Sequence, residues 1–538
     1  MKNRYLFGLA GAAMLCLAAG SAYSFDGMSV EAPNCDYGGK IKSIVATDEH
    51  TVTFTMCSPD PAFEAKAAFV VFGIQPSEHI AEAGPKGALL DDPIGTGPFK
   101  LESWNRGDSI VMTRNDNYWG DEPAYKTLVM RWNDSGAGRL NELRAGTVDE
   151  ITNISPDDFD GVKADPDLQF LPQPAPNVLY LGMVNTFKPF DNVKVRQAVA
   201  MGIDRQRIVD NFYPAGSEVA SHFTPCSLPN GCAGDDWYSF DPDAAKKLLA
   251  EAGYPDGFKT KIYYRDVFRS YLPEPSVIAV EFQTQLKQNL GIDAEVVPME
   301  SGEFISQASA GALDGFFLLG WGADYPHVTN FLDYHFTKGT KSFGNAIPEV
   351  YEPLIKASTI ADVAKAEPLY AEANNALKEF VPMVPIVHGA SAYAARANVK
   401  NAIVRPFGAP RLQDEDPGKD TLVFMQNAEP ISLYCGDETD GESLSACTPI
   451  TEALFDYAKD SGEIVPALAT ACDANDDSTV YTCHLREGVK FTDGSDFDAN
   501  DVVASWAAGI DASNPAHVGN TGAFDYYTYL WGSLMNAK

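Results

Sequence analysis

Strand-sized runs of β-branched and aromatic residues alternate with helix-patterned segments along the whole 538-residue chain. That alternation limits the fold to layered α/β or α+β architectures and excludes a β-sandwich. Ser43–Ala46 and Thr51–Met56 read as two strands joined by the polar turn Asp48-Glu49-His50. Val480–Leu485 is another alternating strand, and its turn Thr492–Ser495 leads to a helix with Asp498 as N-cap and Val502, Val503 and Trp506 at helical spacing. Asp241-Pro242 opens a clearer helix, with N-cap Asp and Pro at the first position; Ala245, Leu248, Leu249 and Ala252 form its apolar face and Gly253 ends it. Phe316–Leu319 is a short buried strand ahead of Gly320-Trp321-Gly322. Gln413–Asp420 is polar, aperiodic and carries Pro-Gly, so it reads as an exposed linker.

Charge narrows the partners. Asp and Glu number 74 against 40 Lys and Arg, a formal charge of −34. Such a chain repels phosphate backbones, so nucleic acid is excluded as the expected partner. Lys2 and Arg4, the apolar stretch Tyr5–Gly20 and the small-x-small sequence Ala22-Tyr23-Ser24 form an export signal with the cut expected after Ser24. The apolar run falls short of the roughly 20 residues that span a bilayer. Leu15, before Cys16, is not the small residue a lipid-anchoring signal needs.

Beyond Cys16, eight cysteines remain in four local couples: Cys35 with Cys57, Cys226 with Cys232, Cys435 with Cys447, and Cys472 with Cys483. In an exported chain these read as four local disulfides. Sequence alone does not fix connectivity, and the absence of any CxxC argues against zinc. GxSxG, HExxH, GxxxxGK[ST] and a strand-linked GxGxxG are all missing, and the eight histidines are scattered. A secreted hydrolase is therefore the alternative, and a binding protein with no catalytic residue, cofactor or metal is the first reading.

Several segments resemble the periplasmic solute-binding proteins of the peptide/nickel type, the family-five receptors of ABC importers. They are Ile94–Leu101 with Trp104, Arg114-Asn115 and Asn117–Gly120; Asn185 with Pro189–Asn192 and Val195–Ala198; Ile203-Asp204-Arg205; Asp241–Gly257; Gly320-Trp321 with Ala323–Pro326; and Leu485–Phe491 with Asp493-Gly494 and Asp501–Val503. Their order is unusual. The Leu485–Phe491 segment lies near the N-terminus in that family, so the region from Thr421 onward is similar to the family's N-terminal portion moved to the end, a circular permutation joined through Gln413–Asp420. The resemblance implies a two-lobed periplasmic-binding-protein fold hinged about a cleft. Its larger lobe, with an extra subdomain, comprises residues 25–184 and 390–538, and its smaller lobe residues 185–389, after a signal peptide over 1–24. It also implies a monomeric periplasmic receptor that delivers a small solute, most readily a peptide, to an ABC permease powered by cytoplasmic ATPases.

In the peptide-binding members the Asp of the turn pairs with the ligand's α-ammonium, and the Trp three residues earlier packs on the ligand. Asp324 and Trp321 match, with Tyr325 beside them; Gln426, Asn427 and Tyr434, near the exit of the first family strand, are further cleft candidates. Where many members continue Tyr-Pro-Asp-Pro, this chain has Tyr325-Pro326-His327-Val328. That departure keeps oligosaccharides and other small solutes open as ligands, while the scattered histidines argue against a nickel chelate.

Overall fold

The computed structural model describes residues 25–173 and 176–537; the export signal and its cut after Ser24 lie outside the described residues. Three main sheets organise the chain. The first is antiparallel, in the order Ser29–Glu31, Ile41–Asp48, Thr51–Met56, Val480–Leu485, Ala469–Ala474. Its inner face packs on the helix Ala499–Ile510, which starts at the expected Asp498 with a capping box closed by Asp501. Trp506 on that helix is fully buried, stacks on Phe72 at 4.8 Å and meets Phe54 edge-on at 4.9 Å. Truncating such a residue costs about 3–5 kcal/mol, because a cavity remains where the ring was.

The second sheet runs Glu218–Val219, Met383–His388, Asn177–Met183, Phe316–Gly322, Lys259–Arg265, Asp293–Met299. The helix Pro275–Leu290 joins its last two strands, which run parallel as a crossover helix requires. The helix Pro242–Glu251 begins as its sequence indicates: Asp241 Oδ1 accepts from the Ala244 amide and Pro242 takes the first position. The strand at Phe316 continues through Gly320-Trp321 to Gly322, three residues further than the apolar run suggests. Gly320 sits so close to the Val178 carbonyl and the Tyr271 ring that a Cβ would clash with both. Glycine thus keeps this strand in register with Asn177–Met183.

The third sheet has seven strands: Phe99–Asn105, Ser109–Arg114, Thr127–Trp132, Thr421–Gln426, Glu150–Ile151, Ser391–Arg396, Leu168–Gln173. Thr421–Gln426 lies in its middle, parallel to both neighbours. The C-terminal portion of the chain therefore supplies interior strands to two sheets and is not an appended domain.

The chain crosses between the third and second sheets twice, after Gln173 and after His388. The ends of these crossings at the second sheet, Asn177 and Gly389, are hydrogen-bonded to each other. Asn177 Nδ2 donates to the Gly389 carbonyl and the Gly389 amide donates to Asn177 Oδ1, both at 2.8 Å. The strand Asn177–Met183 thus belongs with the second sheet, and the first crossing comes ahead of Asn177, earlier than the Val184 boundary drawn from sequence.

The segment 413–420 also differs from its reading as a linker. Leu412–Asp414 form a 3-10 turn, and Glu415 and Pro417 are buried; only Gly418–Asp420 are exposed. Glu415 packs against Glu150, and burial beside a second carboxyl raises its pKa well above the usual range. Polar composition is uninformative there because a protonated carboxyl can be buried. Four disulfides join Cys35–Cys57, Cys226–Cys232, Cys435–Cys447 and Cys472–Cys483. The last staples two residues directly opposed on neighbouring strands. Among the described residues no helix is long and apolar enough to cross a membrane.

Candidate functional site

The strand Phe316–Gly322 delivers Asp324 to the seam between the second-sheet body and the rest of the molecule. Tyr526, from the helix Asp525–Trp531 on the opposite body, donates its hydroxyl to Asp324 Oδ1 at 2.7 Å. Asn330 Nδ2 donates to Oδ2 at 3.1 Å. The Asn330 carbonyl oxygen accepts from the Trp321 indole N–H at 2.8 Å and from the Asp324 amide at 3.3 Å. One side-chain amide thereby fixes both Trp321 and Asp324. Tyr457 O–H, which donates to the Ala65 carbonyl at 2.9 Å, also lies 3.3 Å from the Asp324 backbone carbonyl across the seam.

Every group on the Asp324 carboxylate is neutral. Burial consequently pushes its pKa up to about 6, against the opposing hydrogen bonds from Asn330 and Tyr526. The side chain is only half-buried, because part of it faces a cavity of about 210 Å³. Gln426 and Asn427 line the same cavity, together with Asn153, Tyr393 and Glu442. No Lys, Arg or His among the described residues lines it.

The candidates divide by position. Asp324, Gln426 and Asn427 meet at this cavity. Trp321 and Tyr325 lie in an adjoining hollow that shares Asp324. There Trp321 stacks on Tyr334 at 4.2 Å, and Tyr325, 3% exposed, bonds Thr329 Oγ1 at 3.0 Å. Tyr434 is in neither: its ring is buried against Phe524 in the core behind the Cys435–Cys447 bond, where an aromatic of its size fills space next to a buried disulfide.

Residues 17–343 and 463–525 match the family described as bacterial extracellular solute-binding proteins, family 5 (middle). The chain belongs to that family. A di/tripeptide-binding protein of Pseudomonas aeruginosa is 32% identical over 390 residues, covering 70% of this chain and 72% of the relative. Heme-binding protein A of Haemophilus influenzae is 29% identical, covering 68% of each. Among solved structures, the dipeptide-binding protein from Pseudoalteromonas sp. SM9913 in complex with Met-Leu is 28% identical, with a TM-score of 0.62 over 70% of this chain and 75% of that one. The three sheets and their paired crossings are thus the two lobes of a periplasmic binding protein, and the cavity at Asp324 lies between them.

This family-5 protein carries a buried charge cluster beside the cavity that sequence reasoning missed. Lys66, 1% exposed, donates to Asp60 Oδ2 at 2.6 Å and to the Leu530 carbonyl at 3.3 Å. Lys40 stands 3.5 Å from the same Asp60 oxygen and 4.0 Å from Asp333 on the other lobe. Burial lowers the Lys66 pKa to about 8 despite Asp60. Asp60 resists its own burial because both ammonium groups hold it at about 2. His327, in the position of the motif departure, is held at about 4 by burial and by the Lys66 charge, so at neutral pH it is an uncharged neighbour. No spacing rule links positions 40, 60, 66 and 333. Asn330 had a faint signal: it lies six residues after Asp324, early in the helix Thr329–Phe336.

Proposed function

We propose that the protein captures a short peptide between its lobes by pairing the peptide's α-ammonium with Asp324, and presents the closed form to an ABC permease. The observation that carries this reading is a carboxylate on an interlobe cavity whose hydrogen-bond partners are all neutral. An ion in that setting costs several kcal/mol until a cation joins it, so the site favours a cationic group. The relatives' names span di/tripeptides and heme, so family membership by itself does not select the ligand. Asp324 selects it, and Trp321, held by Asn330, offers apolar surface next to the anchored end.

The mechanism is closure and not covalent chemistry. Tyr526 reaches Asp324 from the opposite lobe, so closing the lobes completes the hydrogen bonds around the anchor. Ligand then shifts the open–closed equilibrium by its differential affinity. The paired crossings at Asn177 and Gly389 are the natural hinge. The protein works as a monomer outside the cytoplasm, after cleavage of its signal peptide near Ser24.

The order of the family segments is read as a circular permutation. Supporting it, the block 463–525 is matched separately from 17–343. In addition, Thr421–Gln426 and Val480–Leu485 occupy interior sheet positions among strands from the N-terminal part. Native mass spectrometry tests the ligand class. Protein isolated under native conditions should carry a small mass that fragments as a peptide; a retained oligosaccharide would overturn the reading.

A further inference from the structure

Asp324 is not alone on the cavity wall. Across from it, Asn427 fixes a second carboxylate. Asn427 Oδ1 accepts from Asn153 Nδ2 at 2.8 Å, which turns Asn427 Nδ2 toward Glu442 Oε1. Glu442 Oε2 has no hydrogen-bond partner among the described residues. Gln426, 1% exposed, also lines the cavity. Its Nε2 is engaged by the Ala428 and Glu442 carbonyls at 3.1 and 3.3 Å, and its Oε1 is buried without a partner. An acceptor left unpaired in a buried wall is expensive unless a ligand donor meets it.

The nearby cation is already committed. Arg139 is buried behind this wall, within electrostatic range of Glu442. Its guanidinium donates to the carbonyls of Thr152, Asn133, Asp134 and Asn153. It lines no part of the cavity. The wall thus presents two carboxylates and no charged donor, and the unpaired Gln426 Oε1 lies buried within it.

We propose that Glu442, with Gln426 Oε1, is the specificity-determining subsite for a second cationic nitrogen, so that the preferred ligand is a short peptide bearing a lysine- or arginine-like side chain. This rests on the assignment of the α-ammonium to Asp324. The basic side chain's ammonium or guanidinium pairs with Glu442 Oε2 and donates a further N–H to Gln426 Oε1. An acidic side chain there would meet like charge, and a neutral one would leave both acceptors unpaired.

Calorimetry on the full chain with four peptides tests this: Lys-Ala, Ala-Lys, and the same two with norleucine replacing lysine. Norleucine keeps the aliphatic stem and removes only the ammonium. At least one lysine peptide should bind ~10-fold or more tighter than its norleucine partner, the span of one desolvated charge interaction. Glu442→Gln should erase that preference, bringing each lysine peptide to within about threefold of its norleucine partner. Equal binding of lysine and norleucine peptides by the wild type would overturn the inference without any variant, and would leave the peptide reading standing. Binding of none of the four would instead bring down the Asp324 assignment on which it rests.

Discussion

Asp324→Asn should act on stability and on affinity in opposite directions. With the lobes closed and no ligand between them, the carboxylate has a pKa raised to about 6 by burial, against about 3.9 in an unfolded chain. The sign follows from proton binding. Below about pH 3 both states hold the proton and the group is neutral in the balance. As pH rises, the unfolded chain loses its proton first, so the folded state is progressively penalised until the folded group also ionises near pH 6. The full shift of two units is worth about 3 kcal/mol. Partial exposure to the cavity reduces that to about 1–3 kcal/mol. Asparagine keeps an acceptor for Tyr526 or Asn330 and carries no charge to bury. Ligand-free Asp324→Asn should therefore come nearest the wild type at about pH 3 and exceed it in chemical denaturation at about pH 7.5. The same substitution should weaken peptide binding by about 2–5 kcal/mol, since the ammonium then has no anionic partner. A variant less stable than wild type at pH 7.5, or a difference that ignores pH, would refute the unpaired carboxylate.

Three further outcomes are expected. Lys66→Ala breaks a buried pair while Lys40 still shelters Asp60, so unfolding titration should show a loss near the low end of about 3–5 kcal/mol. Asp60→Leu combined with Lys66→Met should recover most of it; no recovery would mean the loss is one of packing. Moving residues 421–537 ahead of Phe25 through a short linker should give a folded, ligand-binding protein, because these residues already sit inside two sheets. Insoluble product at every linker length would count against the permutation. Peptide mapping without reductant should recover only the four local cysteine pairs, each worth about 2–4 kcal/mol by the loop-closure argument; a long-range pair such as Cys35 with Cys472 would contradict the staples.

The sequence made some features legible and hid others for physical reasons. Helix starts were readable because Asp241-Pro242 and Asp498 with Asp501 act locally, within one turn. The cysteine couples were readable from their short separations, whereas the Trp321–Asp324 turn was singled out by the family resemblance and not by any local pattern. What failed was long-range. Asn177–Met183 is buried on both faces, so its sequence does not say which body it joins. Gln413–Asp420 looked like solvent-exposed linker because composition cannot show that Glu415 is sheltered beside Glu150. Tyr434 lies near the right strand exit but turns into the core. Glu442 was indistinguishable from the other acidic residues of a highly acidic chain. Only the fold reveals that it shares a cavity with Asp324, more than a hundred positions away.

On the proposed reading, a free α-ammonium on Asp324 holds the ligand. Calorimetry of one dipeptide panel against its Nα-acetylated counterparts measures that contact alone, because acetylation removes the charge and leaves the rest of the peptide intact. Free peptides should bind, and their acetylated forms should bind weaker by ~30-fold or more, the equivalent of about 2 kcal/mol or more for a lost buried ion pair. Equal affinity for free and acetylated peptides would contradict the account and remove Asp324 from the ligand.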